Sequence, residues 1–267
     1  MNNLFRRLII GHESRIMTHK TISAIALTSI PIVKPGDRLG EMILNSIAER
    51  GIVLLRGDIL LIASKIVSKA ENRLVKASEV KVSERAIEIA KKNGFDPIHV
   101  ELALQESVEV IRSDGVLITE THSGSICNFS GVDKSNAPEE EYVLLPKNPD
   151  QSAKRIREEL ERETGLNLAV IVSDTRGRPW RKGSINVAIG CAGINAFKHN
   201  KGKSDLYGRT LNQSTVCQID ELAALAEPLM GQAGERIPVV IIRGYSYEDG
   251  TESGSDIIRS KDEDIFR

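Results

Sequence analysis

The sequence predicts an α+β protein of mixed sheets and helices. Three observations indicate this class. Aliphatic runs of strand length recur along the chain, amphipathic segments with capping residues lie between them, and the order of the elements lacks a strict strand–helix alternation. With 267 residues, 40% of them hydrophobic, the chain can bury a sizeable core without disulfides.

The N-terminal half carries two predicted strands and three predicted helices. In chain order these are a strand at 22–27, a helix at 37–51, a strand at 58–63, a helix at 83–93 and a helix that begins at Pro97 with Asp96 as its N-cap. The second strand is almost entirely aliphatic and ends abruptly at Ser64 and Lys65. Polar side chains at the end of a buried strand often form sites, so Ser64 and Lys69 are candidates.

The C-terminal half also contains both predicted strands and predicted helices. Strands are predicted at 115–121, 142–145, 168–172 and 238–242, and helices at 152–165 and 214–229. The helix at 152–165 has opposite charges four residues apart, as in Arg155 with Glu159, which predicts a solvent-exposed outer helix. The segment 128–138 is rich in turn residues and is expected outside the core.

Composition excludes several classes of function. Lys and Arg (36) balance Asp and Glu (37), and aromatic residues make up only 4%, so a nucleic-acid-binding surface is not expected. No apolar run reaches the roughly 20 residues that a membrane span needs. The three cysteines are far apart and predict reduced thiols, which together with these features indicates a cytoplasmic protein.

Two acidic positions are candidate metal ligands. Asp133 lies among small and turn-forming residues, and Asp174 with Thr175 directly follows the aliphatic strand at 168–172. Separate carboxylates with a hydroxyl or amide oxygen suit Mg²⁺ or Mn²⁺ bridged by phosphates. The alternatives are that Asp133 stabilises its own turn and that Asp174 caps a helix or turn.

Further polar segments have two interpretations each. The basic residues around Trp180, including Arg178, could bind a phosphate or carboxylate, or could form a solvated loop. The turn 231–234 could bring backbone amides close to a nucleotide, although the chain has no GxxxxGK[ST] or GxGxxG motif. Asp220 could face a site or water, and water is the preferred interpretation.

Taken in order from Thr21 to Arg259, these segments resemble the coenzyme F420-0:L-glutamate ligase family. The matching stretches are Ile30-Pro31 with Gly36-Asp37, Ser64-Lys65 with Ser68-Lys69-Ala70-Glu71, Gly131-Val132-Asp133 with Ser135-Asn136, Asp174-Thr175 with Gly177-Arg178, Asp205-Leu206-Tyr207-Gly208-Arg209, and Leu229-Met230-Gly231.

The resemblance implies a ligase that uses GTP to join L-glutamate, once or more than once, to F420-0, a precursor with a carboxylate on a phospholactyl side chain. It implies two Mg²⁺ or Mn²⁺ ions per subunit, with K⁺ as a further candidate. The implied metal ligands are Asp133, Asp174, Thr175 and Gln232. The implied GTP contacts are Thr28, Ser29, Ile30, Pro31, Ser64, Lys69, Asn136, Met230, Gly231, Gln232, Ala233, Gly234, Glu235, Arg236 and Ile237. Lys69 and Arg178 are the candidate catalytic residues, the first on phosphates and the second on the anionic substrate.

The family fold implies an intertwined homodimer of two-subdomain chains with the nucleotide at the subunit interface. Residues 1–17 are then an N-terminal extension without assigned function, and residues 18–267 form the ligase unit. Two other interpretations stay open: a nucleotide-binding regulatory protein that does not turn over, and a related ligase with a different carboxylate acceptor.

Overall fold

The computed structural model describes residues 21–265. The elements of the first half are β1 (Ser23–Ala26), α1 (Leu39–Glu49), β2 (Ile59–Ala63), α2 (Ser64–Ala70), β3 (Leu74–Lys76), α3 (Glu84–Asn93), α4 (Pro97–Gln105), β4 (Ser107–Arg112), β5 (Ile118–Thr121) and β6 (Ile126–Asn128). Those of the second half are β7 (Glu141–Val143), α5 (Pro149–Thr164), β8 (Ala169–Arg178), β9 (Arg181–Ala192), β10 (Phe197–His199), β11 (Thr215–Cys217), α6 (Gln218–Met230) and β12 (Val239–Arg243). The predicted extension at 1–17 lies outside the described residues.

The largest sheet has five strands in the order β1-β12-β2-β8-β9. Strands β2 and β8 are parallel, whereas the other neighbours are antiparallel. Alternate residues of β2 enter two separate cores. Leu60 and Ile62 pack with α1 and α5, and Ile59 and Leu61 pack with α6. The sheet is therefore covered on both faces, which explains why its central strands are almost continuously aliphatic.

A second group of elements lies in the chain between β2 and β8. It contains the antiparallel pair β3–β7, the three-stranded antiparallel sheet β4-β5-β6, and helices α3 and α4. Two small cores hold it together, one around Val100 and Leu117 and one around Leu102 and Tyr142. The α+β class with several sheets is confirmed.

Local capping signals predict several helix ends correctly. The Ser83 hydroxyl accepts a hydrogen bond from the Ala86 N–H (3.2 Å) at the start of α3, and Gly94 ends that helix with φ +71°. Asp96 caps α4 and Pro97 is its first residue. These ends follow from contacts within a few residues, so they are visible in the sequence.

Three helices begin two or more residues from the predicted start. Helix α1 begins at Leu39 rather than at 37. Helix α5 begins at Pro149 rather than at 152, because the Asn148 side chain accepts from the Gln151 N–H (2.9 Å) and caps it. Helix α6 begins at Gln218 rather than at 214, because Thr215–Cys217 pairs with β10 as a strand.

Two predicted environments and one predicted strand end differ from the structure. Helix α5 is only half solvated, since Ile156 and Leu160 are buried. Lys154 and Glu158 form an expected pair four residues apart (4.0 Å), whereas Arg155 pairs with Glu71 rather than with Glu159. The segment 128–138 reaches the core at Ser130, which is 1% exposed and donates to the Ala103 carbonyl (2.7 Å). The strand at 168–172 does not stop at Ser173: it continues to the end of β8, because β9 supplies an antiparallel partner.

Candidate active site

At one end of the central sheet, strands β1 and β2 end, β12 begins, and the aliphatic part of β8 stops; we call this end of the sheet the edge. Ala63, the last residue of β2, pairs with Ser173 of β8, and its N–H donates to the Pro238 carbonyl (2.9 Å) just before β12. Strand β1 reaches the same edge because Ala26 pairs with Val240 of β12. The polar residues that follow the aliphatic part of each strand therefore gather at this edge.

Two carboxylates from distant parts of the sequence converge on the first two residues of α2. The Ser64 hydroxyl donates to Oδ1 of Asp174 (3.1 Å), and the Lys65 ammonium donates to Oδ2 of Asp133 (2.7 Å). Ser64 and Lys65 are adjacent in the chain, so the two carboxylates are held as neighbours. The candidate metal ligands Asp133 and Asp174 are thus brought together.

Asp133 is fixed by its backbone and by several donors. Its backbone exchanges hydrogen bonds with Val143, while the Ser135 N–H and hydroxyl both donate to the carboxylate (2.8 Å each). Burial opposes ionisation, but the hydrogen bonds from Lys65 and Ser135 outweigh it and hold the pKa of Asp133 below its ordinary value. This carboxylate is anionic and oriented before any ligand binds.

Asp174 lies inside β8, opposite Val187, with its side chain 21% exposed. Burial raises the pKa of Asp174, and the negative charge of Asp133 adds to this, while Arg176 and the Ser64 hydroxyl oppose it. The Arg176 Nε lies 3.5 Å from Oδ2 of Asp174. A buried carboxylate next to a second one is stabilised by added positive charge, which favours cation binding here.

More of the predicted residues extend this network. The Lys69 ammonium donates to the Asn136 carbonyl (2.6 Å), and the Asn136 amide donates to the Ala233 carbonyl (3.2 Å). On the other side the Gln232 amide donates to the Thr175 hydroxyl (2.8 Å). The turn after α6 is therefore joined both to the Asp133 segment and to β8.

The remaining candidates have other surroundings. The Thr28 hydroxyl accepts from Arg50, and the Ser29 hydroxyl is hydrogen-bonded to that of Ser46 (2.7 Å), so these two side chains are engaged with α1. Met230 is a core residue, 6% exposed. Other members of the candidate nucleotide set lie in exposed or half-buried loop positions, namely Ile30, Pro31, Gly231, Gly234, Glu235, Arg236 and Ile237.

Arg178 is not brought to the carboxylates. Its Nη2 donates to the backbone carbonyls of Lys182 (3.0 Å) and Gly183 (3.4 Å) across its own hairpin. Arg176, two residues earlier on the same strand, is the guanidinium beside Asp174. Both arginines closely follow Asp174 in the sequence, which gave no basis for choosing Arg176 over Arg178, and the register of β8 against β9 shifts between the two residues.

The donor atoms at this edge suit a hard divalent cation. Within residues 21–265, no three or more His, Cys, Asp or Glu side chains form a group that could hold a metal. The set is instead two carboxylates with the Thr175 hydroxyl and the Gln232 side-chain amide. Such oxygen donors fit Mg²⁺ or Mn²⁺ when substrate phosphates supply further ligands. The ammonium of Lys65 shows that positive charge is already accommodated at Asp133.

Comparison with known proteins decides the family. The model of the F420-0:Gamma-glutamyl ligase family matches residues 28–244, a span that contains every candidate site residue. The chain belongs to this ligase family.

Relatives of this ligase-family chain match it over nearly their full length. It is 43% identical to the coenzyme F420:L-glutamate ligase of Methanothermobacter thermautotrophicus, over 92% of this chain and 99% of that protein. It is also 43% identical to the enzyme of the same name from Methanocaldococcus jannaschii, over 94% of this chain and 99% of that protein. The one from Archaeoglobus fulgidus is 37% identical, over 92% and 96% respectively. In the part of this F420-0:gamma-glutamyl ligase family member that the structure describes, no helix is long and apolar enough to cross a membrane.

Proposed function

We propose that this protein is a GTP- and divalent-metal-dependent ligase that joins L-glutamate to F420-0 through an amide bond, adding one or more glutamates. Membership of the family and the names of its relatives support the acceptor and the amino acid. The observation that carries the proposal is the convergence of Asp133 and Asp174 on Ser64 and Lys65. Phosphoryl transfer needs such a fixed cluster of charges.

The reaction needs an activated acyl group, because a carboxylate does not condense with an amine in water. In the first step an acceptor carboxylate oxygen attacks the γ-phosphorus of GTP, an acyl phosphate forms, and GDP leaves. In the second step the glutamate amine attacks the acyl carbon, inorganic phosphate leaves, and the nitrogen loses a proton as the amide forms. Both steps concentrate negative charge on phosphoryl oxygens, so local cations are the main requirement.

Different residues of the chain would bind the metal ions and the nucleotide. Asp133, Asp174, Thr175 and the oxygen of Gln232 would hold the divalent ions, which would neutralise charge on the transferring phosphoryl group when bound. Lys69 would bind the nucleotide phosphates, and the hydrogen bond from its ammonium to the Asn136 carbonyl supports this role. Burial and the neighbouring charge of Lys65 lower the pKa of Lys69, so an anionic phosphate would stabilise its charged form.

The proposal includes a homodimer with the nucleotide near the subunit interface. The loop 204–210 exposes two large apolar side chains, Leu206 (92% exposed) and Tyr207 (88% exposed), which a second subunit could cover. Light scattering at several protein concentrations tests this part. A monomer at all concentrations would contradict it without affecting the proposed reaction.

The decisive experiment is mass spectrometry of F420-0 incubated with the purified protein, L-glutamate, GTP and Mn²⁺. We expect a gain of one or more glutamyl units that disappears without metal and falls strongly when ATP replaces GTP. GTP binding without any product would favour the regulatory interpretation. GTP hydrolysis that requires another carboxylate acceptor would favour the related-ligase interpretation.

A further inference from the structure

We propose that a cavity of about 370 Å³, lined by the Arg176 side chain that neighbours Asp174, binds the acceptor, with Arg176 holding its anionic end. This inference rests on the proposed function, and it assigns a binding site for the acceptor molecule. The chemical class of ligand is an elongated anion whose terminal carboxylate reaches the metal-binding carboxylates and whose body is largely apolar.

Arg176 is the first reason. Its Nε and one Nη are buried and have no hydrogen-bond partner among the described residues. Its other Nη makes one long hydrogen bond, of 3.5 Å, to the Ile126 carbonyl. The nearest anion is Asp174, at 3.5 Å from Nε. Buried guanidinium donors without partners are costly, and a bound carboxylate or phosphate would satisfy them with charge-assisted hydrogen bonds.

The cavity wall is the second reason. Aliphatic side chains form half of the lining, including Val187 and Ile189 from β9, Ile126 from β6 and Ile258 from the C-terminal segment. The polar side chains of the lining are Ser125, Arg176, Arg259, Asp220 and Asp264. Ile126 is part of this wall and is 42% exposed, so a ligand would cover apolar surface there. Ligand sites of this kind combine an apolar wall with a few polar groups that fix orientation, and a volume of a few hundred Å³ is typical of them.

The first cavity has a second one as its neighbour. A second cavity of about 420 Å³ shares Ser125, Ile189 and Ile258 with the first. His122 and Lys147 line this second space. Because three residues line both spaces, we place the remainder of an elongated acceptor, beyond the end that Arg176 holds, in the second cavity.

The position of the cavity agrees with the reaction. Lys69 and Asn136 lie on the Asp133 side of the carboxylates, where the nucleotide is proposed, and the turn at 231–237 is joined to Asn136 through Ala233 and to Thr175 through Gln232. Arg176 approaches from the Asp174 side. The acceptor and the nucleotide then meet at the two carboxylates, and each has its own binding surface.

The test compares Arg176→Gln and Arg176→Lys with the wild type and with Arg162→Gln, a matched variant at an exposed position on α5. We expect Arg176→Gln to raise the KM for F420-0 at least about tenfold, since a charge-assisted contact is lost, while the KM for GTP changes less than about twofold. Arg176→Lys keeps the charge but loses the planar fork, so its effect is intermediate. Arg162→Gln leaves both values unchanged.

A second variant and a second measurement separate the possible failures. Ile258→Trp should fill space next to the wall that the two cavities share and so weaken F420-0 binding. Fluorescence titration measures this binding directly, and circular dichroism checks folding. If the wild type forms product and both Arg176→Gln and Ile258→Trp keep the wild-type affinity for F420-0, the acceptor does not bind in this cavity. The proposed function would then remain intact. F420-0 binding that depends on Arg176 without product would support the cavity and overturn the ligase. Absence of F420-0 binding to wild type would overturn both.

Discussion

Replacing Asp174 with asparagine removes the charge of this residue but keeps its shape. The Ser64 hydroxyl, now 3.1 Å from Oδ1, can donate equally well to an amide oxygen. Burial raises the pKa of Asp174, so the ionised carboxylate is unfavourable in the free protein and a neutral amide relieves that cost. Arg176 loses an attraction at the same time. The two effects oppose each other, and we expect the free energy of unfolding to change by about 1 kcal/mol or less.

The effect on activity is expected to be much larger. Loss of one of two carboxylates weakens charge neutralisation of the phosphoryl group, and removal of one preorganised electrostatic contact commonly slows catalysis by about 10²–10³-fold. We expect Asp174→Asn to fall at the upper end of that range. Asp133→Asn should lose activity similarly but unfold more easily, because it also breaks the 2.7 Å ion pair with Lys65. Asp114→Asn, at an exposed surface pair, is the control.

Initial rates of glutamyl product formation, measured across a Mn²⁺ titration, are the assay, with urea unfolding curves for stability. If Asp174→Asn keeps more than about a tenth of the wild-type rate at saturating metal, Asp174 is not a metal ligand that matters for the reaction. If it instead unfolds several kcal/mol more easily, the residue is structural. Either result would refute the reasoning.

Three further predictions concern stability, and urea unfolding checks each. Asp58→Ala should lower the free energy of unfolding by about 3 kcal/mol, because it leaves the guanidinium of Arg243 without its buried partner; a loss below 1 kcal/mol contradicts this. Gly190→Ala should cost about 2 kcal/mol or more, since its Cβ would lie 2.3 Å from backbone at the start of α5, whereas Gly177→Ala, with open space, should be nearly neutral. Hydrogen bonds lower the pKa of Asp96 despite burial, so its contribution is present above pH about 4 and lost as pH falls, and Asp96→Asn should lack that loss.

The sequence predicted best those features that depend on neighbouring residues. The caps of α3 and α4, at Ser83 and Asp96, and the glycine that ends α3 are local signals. The aliphatic strands β2 and β12 were also visible, because strands buried on both faces are almost continuously apolar.

Features that depend on distant partners were not predictable. The segment at 173–178 contains arginines and a glycine and is typical of a turn, yet it is the second half of β8 because β9 pairs with it. Asp220 was expected to face water, but its carboxylate accepts the Ala188 N–H (2.9 Å) from β9. In both cases tertiary pairing overrides local propensity.

The candidate site shows the same division. Asp133 and Asp174 could be selected by residue type and position, and the structure places them together. Ser64, which donates to Asp174, was a candidate as well. Lys65 and Arg176, the cations beside the two carboxylates, could not be chosen from the sequence, because a lysine or arginine gives no sign of the carboxylate that it will face. The nucleotide contacts and the role of Arg178 stay predictions.

The parallel pairing of β2 with β8 has a consequence for how the protein folds. Residues 64–168 lie between these two adjacent strands, and they include a whole second group of helices and small sheets. Closing a loop of that length costs on the order of 4 kcal/mol in chain entropy before the strands compensate for it. Ser64 and Asp174 therefore cannot meet until this closure is complete, and contacts of such high sequence separation form slowly. The proposed divalent-ion site should therefore form late in refolding, after the helices have formed.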